Sequence, residues 1–221
     1  MHNLTSLIRS PEVIFYDYLK AMVQYVRANE ADSSVQETDK YLYRLLNGIK
    51  SGRSEWLAIA RTILLAVDGD TKALVIDYAY NYKADQNPCI YIEFGSQSLV
   101  DRDIGVGEGD YPIFDTGEPV FTRRSEATFN FKLVSGNLIE LQVLYQVLLA
   151  FFITITPELN LVGMQQINLM GGNIDKALEQ IPVKTFTRML QVKFTYETSA
   201  PSLYPGISYT NFDVDGNLVT P

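Results

Sequence analysis

The stretch from Glu126 to Ile153, EATFNFKLVSGNLIELQVLYQVLLAFFI, constrains the fold more than any other part of the chain. Ala127, Phe129, Phe131 and Leu133 alternate with Thr128, Asn130 and Lys132. A period of two sends alternate side chains to opposite faces, so this segment is a half-buried strand. Ser135-Gly136-Asn137 breaks the alternation, and Asn137 is placed to accept from the free N–H groups at a helix start. The helix that follows is apolar nearly all round, with only Glu140, Gln142 and Gln146 as early polar interruptions. Such a helix must be buried on more than one side. Nothing in this unit is chemically reactive, so architecture has to carry the functional reading.

The rest of the chain can supply what that unit needs. At 221 residues it suits one domain, or one domain with an appendage, and can bury a real core. Hydrophobic residues at 47% and charged residues at 20% describe an ordinary folded chain. The net charge of −8, from 18 basic and 26 acidic residues, argues against a protein that grips nucleic acid through its phosphates. It leaves room for DNA that slides past without sticking. Cys89 is the single cysteine, which excludes an internal disulfide and a thiolate metal cluster within one chain. His2 is the single histidine. The N-terminal MHNLTSLIRSPE lacks the long apolar core of a signal peptide. The best membrane candidate, Leu141 to Ile155, is shorter than the ~20 apolar residues of a span and carries two glutamines. The expectation is a soluble protein of a reducing compartment, or of a particle assembled there.

Taken in order, Ser10-Pro11-Glu12 reads as a helix start, with a cap, a proline in the first turn and an acid at the positive dipole end. Phe15, Tyr18, Leu19, Met22, Tyr25 and Val26 form its apolar stripe. Asn29 to Thr38 reads as a loop. Asp39 to Lys50 gives a second helix with Leu42, Leu45, Leu46 and Ile49 on one side. Ser54 is placed to cap a third, Glu55 to Val67, carrying Trp56, Ile59, Ala60, Ile63, Leu64 and Val67, and Asp68-Gly69-Asp70 ends it. Residues 1–70 are therefore a helical segment packed on the core. At Lys72 the period changes. Leu74, Ile76, Tyr78, Tyr80 and Tyr82 mark a long strand, Ala84 to Pro88 a turn, and Cys89 to Phe94 a second strand with Ile90, Ile92 and Phe94 inward. The two are expected to pair as an antiparallel hairpin. Ser96 to Pro119 lacks periodicity and reads as a long loop, of a length that is functional or disordered in compact domains; pairing of its ends is open. Thr156-Pro157 is expected to end the buried helix, and Leu159 to Asp175, with Gly171-Gly172, to be a linker. Lys184 to Glu197 is the last strand, with Phe186, Leu190, Val192, Phe194 and Tyr196 on one face and Arg188 out of place among them. Beyond Ala200 the chain reads as an extended arm.

Candidate chemistry is sparse. Gly105, Gly107 and Gly109 resemble a phosphate loop, but Asp110 fills the sixth position of the GxGxxG pattern and no helix follows, so a surface loop is the better reading. Asp213, Asp215 and Asn217 resemble half a calcium loop; Gly216 comes too early and no glutamate follows, so Asp215-Gly216 reads as a hairpin turn. Cys89 has no base to activate it other than His2 and reads as a packing residue. Asp101 with Asp103, or Glu108 with Asp110, offers the one enzymatic route, an acid/base pair or a divalent-ion site, against the plainer reading of solvated loop acids. Gln142 and Gln146 lie one helical turn apart. Either they face solvent or they form a polar seam in a subunit interface. In the arm, Leu203, Tyr204, Ile207, Tyr209 and Phe212 are too apolar to be left in water. They dock either on a neighbouring subunit or back on their own domain. No catalytic, cofactor or metal residue is assigned.

The order of elements resembles a known family. A helical start, the strand ALVIDYAYNY (Ala73 to Tyr82), the strand CIYIEF (Cys89 to Phe94), the unit FNFKLVSGNLIELQVLYQVLLAFF (Phe129 to Phe152) and the closing strand TFTRMLQVKFTYET (Thr185 to Thr198) resemble the tail-terminator and tail-completion proteins of tailed bacteriophages. They are also similar to the neck ring proteins on that fold, including those of crAss-like phages. The likeness covers roughly Lys72 to Thr198 and rests on element order rather than on a signature motif. It implies an α+β fold, a mainly antiparallel mixed sheet with helices packed on one face, here with extra N-terminal helices and a C-terminal arm. The division expected is 1–70 helical, 71–199 tail-terminator-like core, 200–221 arm. The function implied is that of a virion structural protein, assembled in the host cytoplasm. It would form a homo-oligomeric ring of roughly six or twelve copies at the head–tail connector or tail terminus. Its partners would be the portal, neighbouring neck rings or tail proteins, and DNA that passes without tight binding, with no membrane. Gln142, Gln146, Leu203, Tyr204, Tyr209 and Phe212 are its candidate interface residues. The alternatives are a small metal-dependent enzyme using the loop carboxylates and a monomeric adaptor for a host protein.

Overall fold

In the computed structural model the described residues are 10–79, 88–99, 120–173, 185–201, 211–212 and 218–219. Helix α1 (Pro11–Ala31) begins at the proline as expected, but the Ser10 side chain does not cap it. The Ser10 backbone carbonyl instead accepts from Val13 and Ile14 at 3.0 and 3.2 Å. Proline supplies the helical φ and has no N–H to satisfy, so the start needs less help. Phe15, Leu19, Met22, Val23 and Val26 are buried, whereas Tyr25 is 58% exposed at the margin of the stripe. The helix also runs to Ala31, into the stretch read as loop, and a 3₁₀ turn follows at Glu37–Asp39.

Helix α2 (Tyr41–Leu46) is shorter than its apolar spacing suggests, because β1 (Lys50–Ser51) and β2 (Ser54–Glu55) fold into a small hairpin. Gly52 takes the left-handed turn position, φ 62°. Ser54 is thus a strand residue rather than a cap, and α3 (Trp56–Leu64) starts two residues later and stops before Val67, which is 71% exposed.

The main sheet has the order β3-β4-β5-β7-β6, from β3 (Val75–Tyr78), β4 (Cys89–Leu99), β5 (Val120–Ser135), β6 (Gln165–Asn173) and β7 (Phe186–Pro201). The fold is α+β with a mixed sheet, antiparallel at every pairing except β3–β4. Those two run parallel, Val75 opposite Cys89 and Tyr78 opposite Ile92, which corrects the expected hairpin. Alternation fixes which face a strand buries but not its direction; the parallel arrangement keeps Ile76 and Ile90 on the same inner face as the hairpin would have done. Tyr80 and Tyr82, in the second half of the expected first strand, lie outside the described residues. Strand β4 outruns its expected end by five residues, with a bulge between Phe94 and Ser96. Phe94 lies on the inner side but is 45% exposed, its ring meeting Phe129 edge-on at 5.4 Å.

Strand β5 starts at Val120, seven residues before the alternation is legible, and pairs with β7 along its whole length. The first five rows of that pairing, Val120–Pro201 to Arg124–Glu197, project past the last rows shared with β4 and β6, at Ser125 and Thr195. Ala127, Phe129, Phe131 and Leu133 are all buried, as their alternation requires.

Helix α4 (Leu138–Leu161) begins at Asn137, whose Oδ1 accepts from the Ile139 N–H at 2.8 Å. It does not end at Thr156-Pro157: Pro157 lies inside it. Proline there costs only the bond to the carbonyl of Ile153, a residue 62% exposed, where water can replace it. The supposed linker after it is an edge strand, β6, whose inner residues Ile167 and Leu169 pack on the core. The glutamine- and glycine-rich sequence of β6 hides this, because an edge strand has little apolar surface to show.

All four helices and the inner face of the sheet share one core. Its centre is Phe15, whose ring lies 5.3 Å from both Phe129 and Phe131, 5.9 Å from Phe152 and 5.6 Å from Phe194. The opposite face carries a small strand-only cluster of Cys89, Tyr91 and Val134. It also carries the ion pairs Lys132–Glu93 and Lys193–Glu126, each at 2.8 Å. Strands β8 (Asn211–Phe212) and β9 (Leu218–Val219) form a separate two-stranded sheet.

By length and composition α4 could cross a membrane, with 24 residues and mean hydropathy 2.0. The sequence-based estimate of a shorter span is corrected by the helix continuing through Pro157. Ten of its side chains are nonetheless buried within the protein, so its apolarity belongs to the core. Truncating Phe131 or Leu148 to Ala is expected to cost about 2–5 kcal/mol. Gln146→Ala, on the opposite side of the helix, is expected to change the stability of the dilute protein by less than about 0.5 kcal/mol. Chemical denaturation checks this; a larger loss for Gln146→Ala than for Leu148→Ala would reverse the assigned helix faces.

Candidate oligomer interface

The orientation of α4 is set at its first turn. Buried Ser135, the last residue of β5, donates its hydroxyl to Glu140 Oε2 at 2.8 Å and accepts from the Asn137 N–H at 3.1 Å. Glu140 Oε1 meanwhile takes Lys72 Nζ at 2.9 Å. The strand end, the cap and the chain entering β3 are thereby tied together, and the helix can present only one side outward. That side carries Leu138 at 48% exposure, Ile153 at 62% and Leu161 at 86%, with half-buried Gln142, Gln146 and Leu149 between them. Positions 142, 146, 149 and 153 recur every three or four residues and make one stripe.

The stripe is electrically neutral. Glu140 is held at the helix start, and Glu158 lies close enough to Tyr18 that its charge adds to the burial raising that phenol's pKa. The hydroxyls of Thr154 and Thr156 donate back to the carbonyls of Ala150 and Phe152, at 2.9 and 2.7 Å, which removes much of their polarity. What faces outward is an apolar ridge with two amides, each a donor and an acceptor. The spacing inference for Gln142 and Gln146 therefore puts them on one exposed helix side.

Other sequence candidates are less accessible to the structure. Leu203, Tyr204 and Tyr209 lie outside the described residues; Phe212 is in β8, its backbone opposite Leu218. Asp101, Asp103, Glu108 and Asp110, the glycines beside them, and Asp213 to Asn217 also lie outside. Cys89 is fully buried, its Sγ 3.9 Å from the carbonyl of Val134, and burial pushes its thiol up to about 12. Among the described residues no group of three His, Cys, Asp or Glu side chains could hold a metal ion.

Sequence reasoning missed two arrangements. The Arg188 guanidinium lies 3.5 Å from the centre of the Tyr145 ring, which explains a cation among the inward residues of β7. Tyr145 in turn presses on β6, where a Cβ added at Gly171 would fall 1.8 Å from the phenol oxygen. An arginine on an otherwise apolar face signalled the need for an aromatic partner; Gly171 gave no signal beyond its resemblance to a linker. The second arrangement ties the early helices together. Arg61 Nε donates to Glu30 Oε2 at 2.8 Å and a second nitrogen to Glu37, while Lys40 Nζ donates to the Glu30 carbonyl at 2.6 Å. The Arg61 hydrogen bond holds the Glu37 carboxyl below its usual range.

Gly171→Ala is expected to lower the melting temperature by several degrees, since Tyr145 or β6 must shift, and adding Tyr145→Phe should restore part of the loss. No restoration would mean that the glycine is needed for another reason. Cys89 should resist a thiol reagent at pH 8 in the folded protein and react at once in denaturant; rapid native labelling would contradict its burial.

No protein-family model matches the chain, and no curated protein matches it either.

Proposed function

We propose that this chain is a structural subunit of a homo-oligomeric ring in the neck or tail of a tailed bacteriophage. The ring would be a conduit for DNA and an adaptor between portal and tail. The observation that carries the reading is the outward stripe of α4. A helix already central to its own core keeps a second, neutral and largely apolar side, with Gln142 and Gln146 able to hydrogen-bond to their like. An exposed ridge of this kind suits a neighbouring copy.

Two further features support it. Helices line one face of the sheet, and among the described residues no helix packs on the other, where Cys89, Tyr91 and Val134 form their own buried cluster. On that second face Lys132 and Lys193 are neutralised by Glu93 and Glu126. A surface of paired charges in a chain of net charge −8 offers little counterion release to DNA, as a conduit requires.

The purified protein is expected to sediment as a ring of about six or more copies, or to form one on its portal partner. Ile153→Arg should weaken self-association at least tenfold with little change in melting, because a charge enters an apolar contact. Duplex DNA should bind weakly even at low salt. A chain that stays monomeric alone and with portal, or sub-micromolar DNA binding with a steep salt slope, would overturn the proposal.

A further inference from the structure

We infer that the free edge of β6 is an acceptor for strand addition, and that its occupant is the β8–β9 hairpin of a second copy of this chain. The inference rests on the homo-oligomeric reading above and specifies where one of its contacts is made. Strand β6 closes one side of the sheet, and β7 is its one partner among the described residues. Its sequence, QQINLMGGN, has neither a charge nor a proline over nine residues. Edge strands are ordinarily protected from pairing by lysines, prolines, bulges or brevity; β6 has only the bulge between Gln165 and Asn168, which leaves Asn168 to Asn173 regular. Gln165, Gln166, Asn168, Met170 and Gly171 are exposed, and no described segment pairs with this edge.

The donor is incomplete in the complementary way. Strands β8 and β9 pair in two rows, Asn211 with Val219 and Phe212 with Leu218, and among the described residues join no third strand. A two-stranded ribbon of that size is marginal in water without a third strand or a packing surface. Its four strand residues are uncharged, as β6 is. Residues 211–219 include Asp213 and Asp215, so the donor is acidic; the β6 edge has no charge of its own to repel it, and backbone hydrogen bonds supply the affinity. Ten residue steps separate Pro201 from Asn211, a reach of up to about 33 Å, enough to leave the parent sheet for a neighbour. Because donor and acceptor are different surfaces of one chain, the contact is head-to-tail, the type that closes rings.

The full-length chain carrying Met170→Cys and Asn211→Cys tests this, Cys89 being buried. Oxidation is expected to give a ladder of disulfide-linked copies on a non-reducing gel. A single internally crosslinked monomer, or no crosslink, would overturn the inference. Asn168→Lys with Met170→Lys, both on the exposed side of β6, should weaken self-association by roughly tenfold at unchanged melting temperature; unchanged self-association would also overturn it. The mass of the unsubstituted protein separates the two proposals. A closed ring without the crosslink keeps the ring and removes the β6 contact, whereas a ladder without a closed ring keeps the contact and removes the ring.

Discussion

The packing of Phe15 against four other rings is the contact on which the remaining structure depends. Phe129 and Phe131 come from β5, Phe194 from β7 and Phe152 from α4, so a single side chain of α1 meets two adjacent strands and the long helix. Burying so much aromatic surface at one point stabilises by several kcal/mol, and ring geometry makes the arrangement specific. The N-terminal helices are therefore part of the same core as the sheet. The Glu30–Arg61–Glu37 network and Arg27, which donates to the Leu64 and Ala66 carbonyls, fasten the three helices around that anchor.

Once α4 is held from one side by Phe15 and the sheet, its other properties follow. Ten buried residues occupy more than half of its circumference, which explains why its sequence is nearly uniform and its outward side is still apolar. The same burial explains the tolerance of Pro157: packing, rather than the last backbone bond, sets where the helix stops. Tyr145 transmits the position of α4 to the sheet margin, covering Arg188 and excluding any side chain at Gly171. The shape of β6, the last strand of the described sheet, depends on a contact made by the helix.

What was legible in the sequence and what was not divides along physical lines. The Ala127–Leu133 alternation, the Asn137 cap and the α1 stripe could be read because burial on one face imposes a period. Strand β6 could not, since an edge strand packing only Ile167 and Leu169 leaves almost no pattern. The direction of β3 relative to β4 was hidden because parallel and antiparallel pairing bury the same residues. Ser10 and Ser54 were misread as caps because a suitable residue at a suitable place does not decide whether its hydroxyl is used. Of the proposed interface, the outward placement of Gln142 and Gln146 was readable from their spacing, whereas the neutrality of the stripe depends on hydroxyl-to-carbonyl bonds that no spacing reveals.

Charge supplies the last constraint on the proposed contact between copies of this chain. Asp101, Asp103, Glu108, Asp110, Asp115 and Glu118 stand against Arg102 between Leu99 and Val120, so five of the eight net negative charges belong to that one stretch. Its C-terminal anchor, Val120, is the tip of the projecting β5–β7 ribbon, six rows beyond the row where Gln165 of β6 meets Thr195. At about 3.4 Å per row that anchor lies about 20 Å along the strands from the start of the β6 edge. Physiological salt screens exposed charges over about 8 Å, so only charge within about that distance of β6 opposes pairing along it. The neutral edge and the acid-rich stretch can thus coexist in one subunit, and lowering the salt lengthens the reach of the acids before it alters anything at the edge itself.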